Sequence, residues 1–359
     1  MARRFRRRGQ TDVPFHFIFA LVGGVLFLAF FFILIRSVLT GSEDRDVRET
    51  SYAVETIITT SLTNPDAFTI AEVKNDEYRF GCEVLPNGKV SESYVQVGKG
   101  KDFDEKGLVY VPVFSPRVVK GDQLFTSTRT WEAPFPVANL AVLSNNRTRY
   151  VIVYSGNNQK AHDYVEKENL AGFGFDFVAS GNLANYKDAG FDQYRFVYFN
   201  VKGADPSSIP SEFKKTGSSN SALVISFGEK GDASGTVTFY DDLAVLKPTS
   251  FSYYGTAMLD AALFSQDSAV FSCNMAKVFG RLQTASLILK GRLTSYPRPS
   301  QPPTQCDLIY QSASDYFDLY TVANFDFKKF AALTSSGGTI ESLEESNRRL
   351  LSLQCPQLY

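Results

Sequence analysis

From Phe15 to Ile35 the chain is an apolar run with a single ionisable side chain, His16, near its edge, and Arg3, Arg4, Arg6, Arg7 and Arg8 stand in front of it. No other feature restricts the fold so strongly. At ~1.5 Å per residue a helix of this length reaches ~30 Å, the depth of a bilayer's hydrocarbon core. Aromatic and aliphatic side chains fall on every side, so the run lacks the stripe of a soluble amphipathic helix. Cleaved signal peptides have a shorter apolar stretch, roughly 7–15 residues, and end in a small-residue cut site. This run ends Ile33-Leu34-Ile35-Arg36-Ser37. A retained transmembrane helix over 15–36, in contact with membrane lipid, is therefore expected. The arginines before it, against Glu43, Asp44 and Asp46 after it, place the N-terminus in the cytoplasm and the C-terminal domain outside the cell.

Arg8-Gly9-Gln10 ahead of a long apolar helix resembles the signal segments of archaeal archaellins and type IV pilins. That resemblance implies processing between Gly9 and Gln10 and a filament core built from the apolar helix. The wider layout has a basic start, one anchor, a mixed ectodomain and a Cys-Pro-x-x-Tyr end at Cys355, Pro356 and Tyr359. It resembles uncharacterised single-pass surface proteins of small-genome archaea, a family that brings no activity with it. Ala20 and Gly24 form a small-xxx-small pair of the kind that lets membrane helices approach closely, which makes a homo-oligomer possible.

Past residue 36 the chain carries 31 basic against 37 acidic side chains, a net charge of −6. It has no basic run, so nucleic acid is not an expected partner. Cysteines stand at 82, 273, 306 and 355, without the paired spacing of a zinc site. An even count on the exterior side predicts two disulfides. Of the three possible pairings we expect Cys273–Cys306, closed by a helix and a Pro-rich return, with Cys82–Cys355 as the second. Asn146-Arg147-Thr148 is a glycosylation sequon in a turn-like context, with Asn146 the acceptor.

The pattern predicts a mixed α/β fold in six parts: a cytoplasmic tail over 1–14, the transmembrane helix over 15–36, a juxtamembrane helix or stalk over 37–64, a β-rich region over 65–145, an α/β region over 146–248, and a helical part over 249–359. In the stalk, Val47, Ser51, Val54, Ile57 and Ile58 share one side, and Asn64-Pro65 ends the helix. The β-rich region has strand-like runs at 68–73, 77–85, 91–97, 108–114 and 140–143. A tight turn is expected at Pro86-Asn87-Gly88, and the two prolines after Trp131 cannot lie mid-sheet. From Tyr150, apolar runs at 150–154, 175–178, 194–199 and 222–226 alternate with short helices near 161–169, 183–188 and 207–215. That alternation reads as βαβ units in a partly parallel sheet, with a further strand at 236–240. Helical spacing follows at 254–264 and 269–293. A last helix to Leu353 is capped by Thr339, with Ile340, Leu343, Asn347 and Leu350 on one seam.

Two strand-to-helix turns share a Ser-Gly-Asn sequence, Ser155-Gly156-Asn157 and Ser180-Gly181-Asn182. They are candidate ligand loops, because open α/β sheets bind at the ends of their strands, although the same residues serve any such turn. No Gly-x-Gly-x-x-Gly, Walker A or Gly-x-Ser-x-Gly sequence is present at these turns, so no cofactor, metal or catalytic residue is assigned. His162 beside Asp163 reads as a surface helix histidine. Asp241-Asp242 reads as a solvated turn rather than an acid/base pair, and Tyr253-Tyr254 as packing. The expected role is a membrane-anchored cell-surface protein whose non-enzymatic α/β head serves adhesion or assembly with other envelope or surface proteins. A processed pilin-like subunit and a membrane-tethered hydrolase using carboxylates are the alternatives.

Overall fold

The computed structural model describes residues 15–64, 66–84, 90–99, 102–108, 111–156, 159–168, 170–215, 218–229, 231–295, 305–322, 325–335 and 337–359. The chain divides into two units, Met1–Glu49 and Thr50–Tyr359, and the division falls within helix α1 (Phe15–Ser61). Every side-chain position from 21 to 33 is exposed, Leu28 by 71% and Phe32 by 70%. Among the described residues no helix is long and apolar enough to cross a membrane. Of the expected span, the side-chain environment is described only over 21–33, short of the ~20 residues a bilayer requires. Gly9, Gln10 and the Pro86-Asn87-Gly88 turn lie outside the described residues. In the second unit the end of α1 buries Thr50, Ser51, Val54, Ile58 and Ser61 along one side.

Six strands make the first sheet: β1 (Phe68–Val84), β2 (Val90–Lys99), β3 (Asp102–Gly107), β4 (Val113–Phe114), β5 (Val118–Glu132) and β6 (Pro136–Asn145). Their order is β3-β2-β1-β5-β6-β4, antiparallel except for β4 with β6. Where the sequence suggests two strands, β1 is one, with a register shift between Glu72 and Asp76. The prolines after Trp131 sit where β5 turns into β6.

The second sheet contains β7 (Thr148–Tyr154), β8 (Phe175–Ala179), β9 (Gln193–Phe199), β10 (Ser221–Gly228), β11 (Gly231–Tyr240) and β12 (Pro248–Tyr254), in the order β12-β11-β10-β9-β7-β8. β7 to β10 run parallel, and β11 and β12 run antiparallel. Helix α2 (Gln159–Lys167) joins β7 to β8. The next two connections, expected as α-helices at 183–188 and 207–215, are 3-10 turns at Ser180–Asn185, Pro206–Ser208 and Ser211–Phe213. Within 207–215, Pro210 lacks the N–H that a continuous α-helix needs there.

The chain steps from β7 to β8 in one direction and on to β9 in the other. Right-handed crossovers in both directions require opposite faces of the sheet. Accordingly α2 packs Ala161, Tyr164 and Val165 with Ile152 and Phe199, while the 3-10 turns pack Leu183, Ile209 and Phe213 with Val151, Val153 and Phe196. Both faces of the parallel strands are thus covered, which is why Tyr150–Tyr154 is a continuous apolar run.

Between the sheets lies α3 (Thr256–Phe264), buried from Ala257 to Phe264, with neighbours on β4, β5 and β6 of one sheet and β11 and β12 of the other. Its N-terminal Gly255 (φ +84°) donates its N–H to Ala233 O at 2.7 Å. At its other end Arg195, buried on β9, donates Nε to Leu263 O at 2.7 Å, Nη2 to Ala262 O at 2.9 Å and Nη1 to Gln266 O at 2.9 Å, with a further bond to Ser221 Oγ at 2.8 Å. Among the described residues no carboxylate bonds this guanidinium; the carbonyl end of α3 supplies the negative pole. Burial lowers the Arg195 pKa to about 10, opposed by the charges of more distant acidic groups.

Among the described residues four further helices follow: α4 (Ser268–Ser295), α5 (Gln305–Tyr320), α6 (Phe327–Thr334) and α7 (Thr339–Ser352). α4 packs on the first sheet and α6 on β12. The expected Thr339 cap is not formed: Gly338 holds the N-cap position and Thr339 is buried in the first turn. A Cβ at Gly338 would come within 2.5 Å of Leu333 O, which closes that position to a capping side chain.

All four cysteines form disulfides, but the pairing differs from the expected one. The bridges are Cys82–Cys273 and Cys306–Cys355. Cys273 lies near the start of α4 and Cys306 at the start of the next helix. The intervening length of α4 carries the chain ~30 Å away before it returns. Cys273 instead meets β1. Beside it, Asn274 Nδ2 donates to Val113 O at 2.8 Å, and Lys277 Nζ donates to Ser93 Oγ at 2.6 Å.

Peptide mapping of the non-reduced protein should recover the 82–273 and 306–355 crosslinks and no 273–306 product. Replacing both Cys306 and Cys355 by alanine opens a separation of 49 residues and should lower stability by up to about 4 kcal/mol in a denaturant titration. Arg195→Met should lower it by about 3 kcal/mol or more, because buried carbonyls lose their donors. Arg195→Lys should recover only part, since one ammonium cannot reproduce the planar fork.

Candidate ligand groove

The strand order turns around between β7 and β9. At such a point the two connections leave to opposite faces and a crevice opens beyond the C-terminal ends of the strands. Here it is lined by Tyr154 and Ser155 after β7, Gln159, Lys160 and Ala161 of α2, Phe199 and Asn200 after β9, and Phe227 of β10, around a cavity of about 330 Å³. A second cavity of about 260 Å³ shares Lys160, Phe199 and Phe227 with it and extends to Asp163, Tyr164, Lys167, Gly231 and Asp232. Together they make one groove between α2 and the β10–β11 end.

Aromatic rings form its base. Phe227 meets Phe199 edge-on with centroids 5.1 Å apart, and Tyr164 lies 5.2 Å from Phe199. Phe199 and Tyr164 are buried, whereas Phe227 and Tyr154 are half-buried and offer surface to the groove. Asn200 has a left-handed backbone, φ +52°. Asparagine tolerates that region better than most residues. Its Oδ1 accepts from Phe227 N at 3.3 Å and its N–H donates to Ile225 O at 2.9 Å, so it fixes the ends of β9 and β10 together. Around the rim, Lys167 Nζ lies 3.9 Å from Asp232, and Gln159 Nε2 donates to Asp163 Oδ1 at 2.5 Å.

The groove rests on a buried polar cluster. Tyr164 Oη donates to Asp260 Oδ1 at 2.6 Å, and Arg129 Nε donates to Asp260 Oδ2 at 3.1 Å. Asp260 is fully buried on α3, Arg129 belongs to β5 and Tyr164 to α2, so one carboxylate joins three layers. Burial raises the Asp260 pKa to about 7 against the opposing pull of Arg129 and Tyr164. Burial, together with the adjacent Asp260, pushes the Tyr164 phenol well above its ordinary value. None of Arg129, Asp260 and Tyr164 stands out in the sequence, since their separations follow no motif.

Of the sequence-derived candidates, Ser155 lines the groove and Gly156 follows it with φ +71°; Asn157 lies outside the described residues. Ser180, Gly181 and Asn182 are exposed in the first turn of a 3-10 helix after the edge strand β8, so the two Ser-Gly-Asn turns are not equivalent. Asn146 is exposed and its Nδ2 donates to Asp122 Oδ1 at 2.9 Å. His162 is exposed on α2 and stacks on Phe177 at 3.6 Å. Asp241 accepts from Ser268 N at 2.9 Å, while Asp242 accepts from Ala244 N at 2.7 Å, so the adjacent carboxylates serve separate turns. Tyr253 is buried in the core. The Lys277–Ser93 pair has the atoms of a serine–lysine dyad, but Ser93 is 1% exposed, which closes it to a substrate carbonyl. Among the described residues no group of three or more His, Cys, Asp or Glu side chains is placed to hold a metal ion.

No family model matches the chain, and no curated protein matches its sequence.

Asp260 keeps its proton in the folded chain up to about pH 7, whereas an unfolded aspartate loses it near pH 4. Between those values the folded state binds more protons. This group's contribution is therefore full below pH ~4 and is lost as pH rises through ~7. Denaturant unfolding over that window should reveal a decline on the order of 1 kcal/mol per pH unit that Asp260→Asn removes. Parallel profiles for the two proteins would contradict the assignment.

Proposed function

We propose that the chain is a single-pass membrane protein that displays its α/β unit outside the cell, where it serves adhesion or assembly rather than catalysis. The observation that carries this reading is the apolar stretch of α1. Side chains on every side of the helix are exposed from residue 21 to 33, including Leu26, Phe27 and Phe30 at 60% or more. Large apolar surface that no protein layer covers is costly in water and stable in lipid. The arginines in front of it set the orientation by the positive-inside rule. Both disulfides lie in the portion assigned to the exterior, where an oxidising environment sustains them.

Protease added to intact cells should remove the α/β unit and leave a short membrane-bound N-terminal fragment. A unit that stays protected until the membrane is broken would refute the orientation. The mass of the mature N-terminus separates the anchored form from a pilin-like one, because processing after Gly9 leaves a chain that starts at Gln10.

A further inference from the structure

We propose that the groove between α2 and the β10–β11 end binds a neutral polyhydroxylated ligand, the end of a glycan chain. Charge selects this class first. Among the described lining residues Lys160 and Lys167 face the groove together with Asp163 and Asp232, two cations against two carboxylates. An anion drawn to the lysines meets the aspartates, and a cation drawn to the aspartates meets the lysines. An apolar ligand would bury this rim without hydrogen-bond partners. A sugar satisfies both kinds of group at once, because each hydroxyl donates to a carboxylate and accepts from an ammonium or an amide.

The apolar part of the lining fits the same ligand. Half-buried Phe227, held edge-on against Phe199 at 5.1 Å, offers a surface on which the C–H face of a pyranose can lie. The Asn200 carbonyl is taken by Phe227 N. What its side chain adds to a ligand is the two N–H donors of the amide. The joined cavities, about 330 and 260 Å³, fall within the usual range for small-ligand sites. Phe227 and Asn200 are fixed by contacts within the fold, so the site stands ready before any ligand arrives, which limits the entropy lost on binding.

This assignment gives the adhesive reading a partner class. Its test reads the groove alone, so failure here leaves the topology experiment standing. The full-length chain in phosphatidylcholine nanodiscs is titrated by calorimetry and ligand-observed NMR. The probes are mannobiose, galactobiose and diacetylchitobiose, with digalacturonate as an acidic sugar of similar size. At least one neutral disaccharide should bind with a Kd near or below ~1 mM, and digalacturonate more weakly. Phe227→Ala should weaken that binding tenfold or more. Asp232→Asn, a rim change that leaves the aromatic base intact, should weaken it by a similar factor and shift the preference toward digalacturonate. Absence of binding by all three neutral probes overturns the proposal. So does preference of the unaltered protein for the acidic probe, or wild-type affinity in both variants.

Discussion

A short helix buried along all but its first residue sets the terms for the rest of the structure. α3 has a sheet on either side, and each of its ends carries backbone groups that a helix cannot satisfy by itself. With little solvent beside them, partners come from the surrounding layers. The Gly255 N–H finds Ala233 O, and the carbonyls of Ala262 and Leu263 find the buried Arg195. Arginine suits this position because its planar fork carries five donors in fixed directions, four of which reach an acceptor around the end of α3. Burying a guanidinium is expensive, and the carbonyl end of the helix offsets that expense without a carboxylate.

The same helix carries a second buried polar group, in mid-length. Asp260 accepts from Arg129 on the first sheet and from Tyr164 on α2. Hydrophobic contact holds the layers together but leaves them free to slide, because it has no direction. Two directional bonds to one carboxylate set the register of α3 against β5 and of α2 against α3. Trp131 adds another such tie, donating Nε1 from β5 to Tyr254 O at the end of β12 at 2.7 Å. The polar interior fixes the alignment of layers that apolar packing brings together.

Local pattern made much of this architecture legible. The continuous apolar runs announce strands buried on both faces, and helical spacing marks α3, α4 and α7 within one or two residues. β5 was not legible. Its interior residues Thr126, Ser127, Thr128 and Arg129 are buried yet polar, so neither alternation nor an apolar run betrays a strand there. The disulfide pairing failed for a related reason. Proximity along the chain favoured Cys273 with Cys306, whereas the length of α4 separates them and the topology returns β1 and the C-terminal tail to meet them. Within the groove, Ser155 could be found from its turn sequence. Phe227, Asn200 and Asp232 could not, since only the strand order brings β9 and β10 to the same crevice as α2.

The position of the groove follows from the way the second sheet is covered. Once β8 and β9 flank β7, the connection after β7 must leave over one face and the connection after β9 over the other, and among the described residues nothing crosses the strand ends between them. A crevice there is a topological consequence and needs no residues devoted to opening it. Its firmness is a different matter, since strand ends ordinarily fray. Here Asn200 locks β9 to β10, and Tyr164 ties the α2 wall through Asp260 to the central helix. The bonds that align the layers therefore also hold the walls of the groove, so a change at Asp260 acts on both the stability of the unit and the shape of its crevice.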